Sequence, residues 1–275
     1  MRMSERNLAE DRPARYRAVV FQALTRLAGG DTNPETLHRA RTHLRRLQAY
    51  LELVGEDRTA GTIERCVTRL SKLRTLQVFE QYLAKLDAPR ADRKAVKHRL
   101  RAIREKIDRA RTYPAIERVV RKLASTPPPA NPAWLADRMQ AARQAHADTL
   151  RQLVARVGAK PRRKTLHRLR LLIKSIRYQE EWALDQPYAM PDLVQRLKHV
   201  QAVLGDYEDL VQFRKLAREL DLRSSATIKK HWRRARARAR ALPANLIAYL
   251  GVAAEPRIRL VGRRHAPLQI AGQPS

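Results

Sequence analysis

Apolar residues recur every three or four positions along almost the whole chain, and no stretch shows the strict alternation of a half-buried strand. That regularity restricts the chain to helices packed on helices. Only nine glycines occur in 275 residues, and Leu, Ala, Arg, Lys, Glu and Gln, all good helix formers, dominate. The breakers fall at Gly29-Gly30, Gly55, Pro89, Pro127-Pro128-Pro129 with Pro132, Gly158, Pro161, Pro187, Pro191 and Pro243. They leave eight helical segments, near 13–28, 33–54, 60–86, 90–124, 132–157, 162–185, 191–221 and 224–242. The run STPPPANP divides them four and four. The predicted fold is therefore all-α: one four-helix bundle over 13–124, a Pro-rich linker over 125–132 and a second four-helix bundle over 133–250. Residues 1–12 and 251–275 are expected to be tails.

The two halves repeat each other. TLHRARTHLRRL at 36–47 and TLHRLRLLIKSIRY at 165–178 open the same way, with His38 and His167 129 residues apart. Over 35–54 and 164–183, Thr, Leu, His, Arg, Arg and Glu recur at matching places, and both copies begin the second helix of their half. Duplication predicts a pseudo-twofold arrangement.

Within each copy the cations form a row. At about 100° per residue, Leu37, Ala40, Leu44, Leu47, Leu51 and Val54 fill one arc of the helix. His38, Arg41, Arg45, Gln48 and Glu52 fill the next. In the second copy, Leu166, Leu169, Ile173, Ile176 and Ala183 make the apolar arc, and His167, Arg170, Lys174, Arg177 and Glu181 flank it. The apolar arc fixes each helix in its bundle and so gives the polar row a fixed direction. Like charges four residues apart oppose helix formation by a few tenths of a kcal/mol, and a bound polyanion would offset that. Glu52, Glu181 and water are the ordinary alternative. Further rows are expected at Arg65, Arg69 and Lys72 on the third helix and at Lys97, Arg101 and Arg104 on the fourth. Arg196 and Lys198 precede LGDYEDL on the seventh. KKHWRRARARAR at 229–240 carries seven cations.

The charge balance narrows the function. Fifty-eight Lys and Arg face 27 acids, a net charge of +31, which predicts a polyanionic partner. No run of apolar residues is long enough for a membrane span. The first residues lack a signal-peptide core, so a cytoplasmic location is expected. The single cysteine, Cys66, excludes an internal disulfide and a thiolate zinc cluster and is expected in the core. Two histidines without a placed carboxylate fall short of a metal site, and the chain has no GxxxxGK[ST] phosphate loop, so neither metal, cofactor nor catalysis is expected. Aromatic residues make up only 5% of the chain, leaving few platforms for stacked bases. Non-specific nucleic-acid binding is the alternative that charge alone leaves open.

LHRARTHLRRLQAYLEL and LHRLRLLIKSIRYQEEW resemble the paired signature helices of CHAD domains, the conserved-histidine α-helical domains. VQAVLGDYEDLVQF is similar to the helix that follows the second signature there. The resemblance covers roughly residues 10–245. It implies two four-helix bundles about an approximate twofold with a basic central groove, and non-catalytic binding of inorganic polyphosphate, often at polyphosphate granules. By position it implies contacts from His38, Arg41, Arg45 and Arg46 in the first motif and from His167, Arg170, Lys174, Arg177 and Tyr178 in the second, with Asp209 as the acid of LG…D. Arg69, Lys72 and Lys198 are added as nearby cations. The chain departs from the pattern at Gln48, where the family has Arg, and at Ser175, which stands opposite Arg46 in the repeat. It departs again at Thr75 and Gln77, where acids are usual, and at Glu180, where Leu is usual.

Overall fold

The computed structural model describes residues 5–123, 132–159, 161–242 and 246–251. It is all-α among those residues. The order is α1 Glu5–Ala28, α2 Pro34–Leu53, α3 Asp57–Arg69, α4 Ser71–Lys85, α5 Arg90–Arg109, α6 Thr112–Lys122, α7 Pro132–Ala159, α8 Arg163–Trp182, α9 Pro191–Glu219, α10 Ser225–Ala241 and α11 Leu246–Leu250. Most of the linker and nearly all of the expected C-terminal tail lie outside the described residues.

Two predicted segments are each two helices. The segment 60–86 breaks at Leu70, which ends α3 and begins α4. The segment 90–124 breaks at Ala110–Arg111, where Arg111 takes φ 46°. The break at Leu70 carries no Gly or Pro, so no composition signal marks it; the second is marked only by Pro114 in the first turn of α6. α1 starts at Glu5, ahead of the expected 13, because the helix continues through Pro13.

α2 has a well-built start. Asn33 Oδ1 accepts from the Glu35 N–H at 2.9 Å, Pro34 follows it, and Asp31 accepts from Asn33 N and Thr36 Oγ1 at 2.8 Å each. Its predicted apolar arc is the buried one, with Leu37, Ala40 and Leu44 wholly inside. The arc of α8 behaves alike: Leu166, Leu169 and Ile173 are buried.

The buried apolar side chains form one cluster from Val20 to Leu250, so the halves share a core. Several contacts join them, among them the following. α2 lies against α8. Phe79 of α4 stacks on Phe213 of α9 with centroids 4.8 Å apart. Asp92 of α5, itself buried, accepts from the N–H groups of Arg223 and Ser224 at 3.1 and 2.8 Å and from Ser224 Oγ at 2.6 Å. That carboxylate caps the approach to α10 from the other half.

At the α2–α8 contact, Arg46 Nε donates to Glu181 at 3.3 Å and Ser175 Oγ donates to Glu52 at 3.3 Å. Positions 46 and 175 correspond in the repeat, as do 52 and 181. The two bonds exchange under that shift, which is the pattern an isologous contact makes.

Candidate functional site

A cleft of about 870 Å³ opens between the halves, walled by α2 and α4 on one side and α8 and α9 on the other. α2 presents His38, Arg41 and Arg45 to it; α8 presents His167, Arg170, Lys174 and Tyr178. These are the two predicted rows, brought face to face. α4 adds Lys72 and Arg74, α5 adds Arg99 and α9 adds Lys215. Eight Lys and Arg side chains thus meet four carboxylates, Glu64, Glu208, Asp209 and Glu219.

Backbone and hydroxyl oxygens, not carboxylates, hold the arginines in place. Arg41 Nη1 donates to Val67 O and to Ser71 Oγ, both at 3.0 Å, and is thereby tied to the α3–α4 break. Arg74 Nη1 donates to Pro34 O at 3.2 Å and Arg45 Nη1 to Gln48 Oε1 at 2.8 Å. Arg170 Nε is buried with no hydrogen-bond partner. Such an atom is disfavoured unless something else reaches it.

Crowding of like charge shows in the titration of these groups. Burial pushes the Lys174 ammonium down to about 7, and the neighbouring Arg170, Arg45 and Arg41 push it the same way against Asp209. Arg41 is lowered to about 10, by burial first and then by Arg45 and Arg74. His38 is lowered by burial and by Arg74, with Glu35 opposing. On the acid side, burial raises Asp209 while Arg170 and Lys174 pull it back. Glu208 is already engaged. It accepts from Gln212 Nε2 at 2.8 Å and Arg163 Nη2 at 3.3 Å, and His167 Nδ1 stands 3.6 Å from its other oxygen.

Four predicted contacts lie elsewhere. Arg177 is buried and committed: Nη1 donates to Glu181 at 2.6 Å, Nε to Gln201 at 2.8 Å, and its guanidinium covers the Tyr178 ring at 4.1 Å. Arg46 pairs with Glu181 and lies over Tyr16. Arg46 is thus spent at the α2–α8 contact, and Arg177 on α9 and its own helix. Arg69 and Lys198 are exposed outside the cleft lining. The row Arg65, Arg69, Lys72 presumes one helix across Leu70; the break instead carries Lys72 into the cleft and leaves the others out. On α5, Lys97 pairs with Glu80 at 3.7 Å and Arg104 donates to Thr32 O, while Arg99 faces the cleft.

Arg74, Arg99 and Lys215 escaped the sequence reading. Arg74 borders the buried face marked by Leu73, Leu76 and Leu83, just as Arg41 borders the face of α2, so the same rule finds it. Lys215 lies on the row Glu208, Gln212, Lys215, Glu219 of α9, readable by helical spacing from LGDYEDL.

The departure at Glu180 has a partner. Glu180 is 1% exposed and takes a two-pronged bond from Arg143 of α7, at 2.8 and 2.7 Å. Gln48 fills the place of Arg177 by bridging Arg45 to Glu52.

Among the described residues, no three His, Cys, Asp or Glu side chains group closely enough to hold a metal ion, and no helix is long and apolar enough to cross a membrane. Cys66 is buried. The crystal structure of the CHAD domain from the plant Ricinus communis is similar in fold, with TM-score 0.61 at 20% identity, covering 90% of this chain and 92% of that one. None of the curated proteins matches the chain. The family model of the CHAD domain matches residues 15–218, which include both histidine helices, the cleft they line and LGDYEDL, and the chain belongs to the CHAD domain family.

Proposed function

We propose that the protein binds inorganic polyphosphate in the cleft between α2 and α8, and does so without turning it over. One observation carries this reading. Arg41 and Arg45 on one helix face Arg170 and Lys174 on another, and eight Lys and Arg side chains line the cleft against four carboxylates; burial first, and then those arginines, lower Lys174 to about 7. A site of that kind concentrates positive potential and awaits a dense anion. Polyphosphate carries about one negative charge per unit and no bases, so it needs lined donors and no recognition of edges. Arginine suits it through its planar fork. Nucleic acid is less well matched, because the one aromatic ring in the lining, Tyr178, is already covered by Arg177. Glu208 Oε1 accepts from Arg163 and Gln212, and Glu219 pairs with Lys215, which supports binding without catalysis. Residence at polyphosphate deposits follows from the same affinity.

The test is filter binding with labelled long-chain polyphosphate. Arg41→Glu with Arg170→Glu lowers affinity by about a hundredfold or more, whereas Arg101→Glu with Lys198→Glu lowers it by less than about threefold. Equal losses would mean a diffuse basic coat. Single-stranded DNA displacing polyphosphate at lower phosphate concentration would reverse the choice of ligand. Polyphosphate recovered from the mixture keeps its length.

A further inference from the structure

A second basic cavity lies on the other side of α9. It encloses about 540 Å³ between the start of α8, the middle of α9 and α10. Seven Lys and Arg side chains line it, and no carboxylate does. It is therefore less neutralised than the central cleft. Two of its cations are oriented by an aromatic ring. Arg214 and Arg236 stand over the Trp232 ring at 4.3 and 5.3 Å, so an indole holds two planar forks in place. Arg162, the N-cap of α8, and Arg163, its first residue, line the same space, and no side chain caps that helix. Its free backbone N–H groups add to the positive end of a long helix.

The two cavities meet. Lys215 lines both, resting 3.6 Å from Glu219 of the central lining. Beside it, Glu208 of the central cleft is bonded by Arg163 of the second cavity. A linear anion leaving the central cleft past Lys215 thus finds further donors in the second cavity, with Glu208 and Glu219 at the junction each paired to a cation. The occupied face of Trp232 argues for phosphate groups over stacked bases.

We propose that this cavity is a second subsite for the phosphate polymer, joined to the central cleft at Lys215, so that one long chain occupies both. The inference rests on the reading of the central cleft as a polyphosphate site. A short oligomer fills one subsite; a long chain gains from both through linkage, with no new kind of contact.

Chain length separates the two claims. Arg218→Glu with Arg240→Glu changes two exposed residues of the second cavity, and circular dichroism and the melting temperature verify that the variant is folded. Affinity for long-chain polyphosphate falls by about tenfold or more, while affinity for tripolyphosphate, read by calorimetry, stays within about twofold. The milder Arg236→Gln moves the same way by a smaller factor and serves if the double reversal does not fold. Equal losses on both probes, or no loss on the long chain, overturn the second subsite and leave the central one standing. A loss confined to a single-stranded oligonucleotide overturns it in favour of nucleic acid. A native protein without affinity for polyphosphate of any length removes both readings together.

Discussion

The two ends of α8 carry charged residues at similar density and use them in opposite ways. Toward the N-terminus, Arg170 and Lys174 face the cations of α2 across a cleft, and Arg170 Nε has no partner at all. Toward the C-terminus, every residue from Ile176 to Trp182 is buried and each charge is matched. Arg177 bonds Glu181, Arg46 reaches Glu181 from α2, and Arg143 grips Glu180. A cation row becomes a site where cations outnumber carboxylates, eight to four in the cleft. Glu52 and Glu181 convert the closing end of each row into a join between the halves, and that join holds the open ends apart and facing.

The closed end is the place where the comparison breaks most violently. Arg143 and Glu180 are 15% and 2% exposed. Removing one partner strands the other charge in the core, so Arg143→Ala lowers stability by about 3–5 kcal/mol. Restoring neutrality with Arg143→Met and Glu180→Leu recovers that loss and can exceed the native value. Urea unfolding measures both. Polyphosphate affinity of the folded double variant stays native. A mild effect of Arg143→Ala would mean that the closed end is wetter than its burial indicates.

The open end responds with the other sign. A lysine whose pKa lies lower in the folded state than in the unfolded one disfavours folding wherever the unfolded chain keeps its proton. For Lys174 that penalty is absent above the ordinary lysine value of 10.5, grows as pH falls, and is complete below about 7. Lys174→Met therefore raises stability by roughly 1–3 kcal/mol at pH 7, water in the cleft screening part of the effect. The gain fades as the pH approaches 10.5. The same variant binds polyphosphate about tenfold more weakly. A substitution that stabilises the fold and weakens the ligand is the mark of a residue kept for binding. If Lys174→Met destabilises at pH 7, the residue belongs with Arg177 and the two ends of α8 do not differ.

The features readable from sequence were those confined to one helix. The period of α2 and α8 gave the all-α class, the buried arcs and the cation rows beside them. What could not be read depends on where helices stop and what they meet. Leu70 ends α3 without a glycine or proline, and Arg111 adopts φ 46° between α5 and α6. The break at Leu70 separates Lys72, which lines the cleft, from Arg69, which does not. Arg177 was equally beyond reach. It sits on the row of Arg170 and Lys174, and only the partner at Gln201, one helix away, shows that it is spent.

The smallest effect tests whether the cleft cations press on each other in solution. Arg41 and Arg45 face Lys174 from α2, Arg170 from its own helix and Asp209 from α9. With a pKa of about 7, Lys174 is only about one-tenth protonated at pH 8 in the free protein. A phosphate chain restores the proton, so affinity rises by up to about tenfold from pH 8 to pH 6, with proton uptake visible by calorimetry in buffers of different ionisation enthalpy. Lys174→Arg keeps the charge at every pH and removes the change above pH 7. Burial also lowers His38 and raises Asp209 in the same cleft. A native protein with flat affinity from pH 6 to pH 8 would mean that the open row is as well neutralised as the closed one.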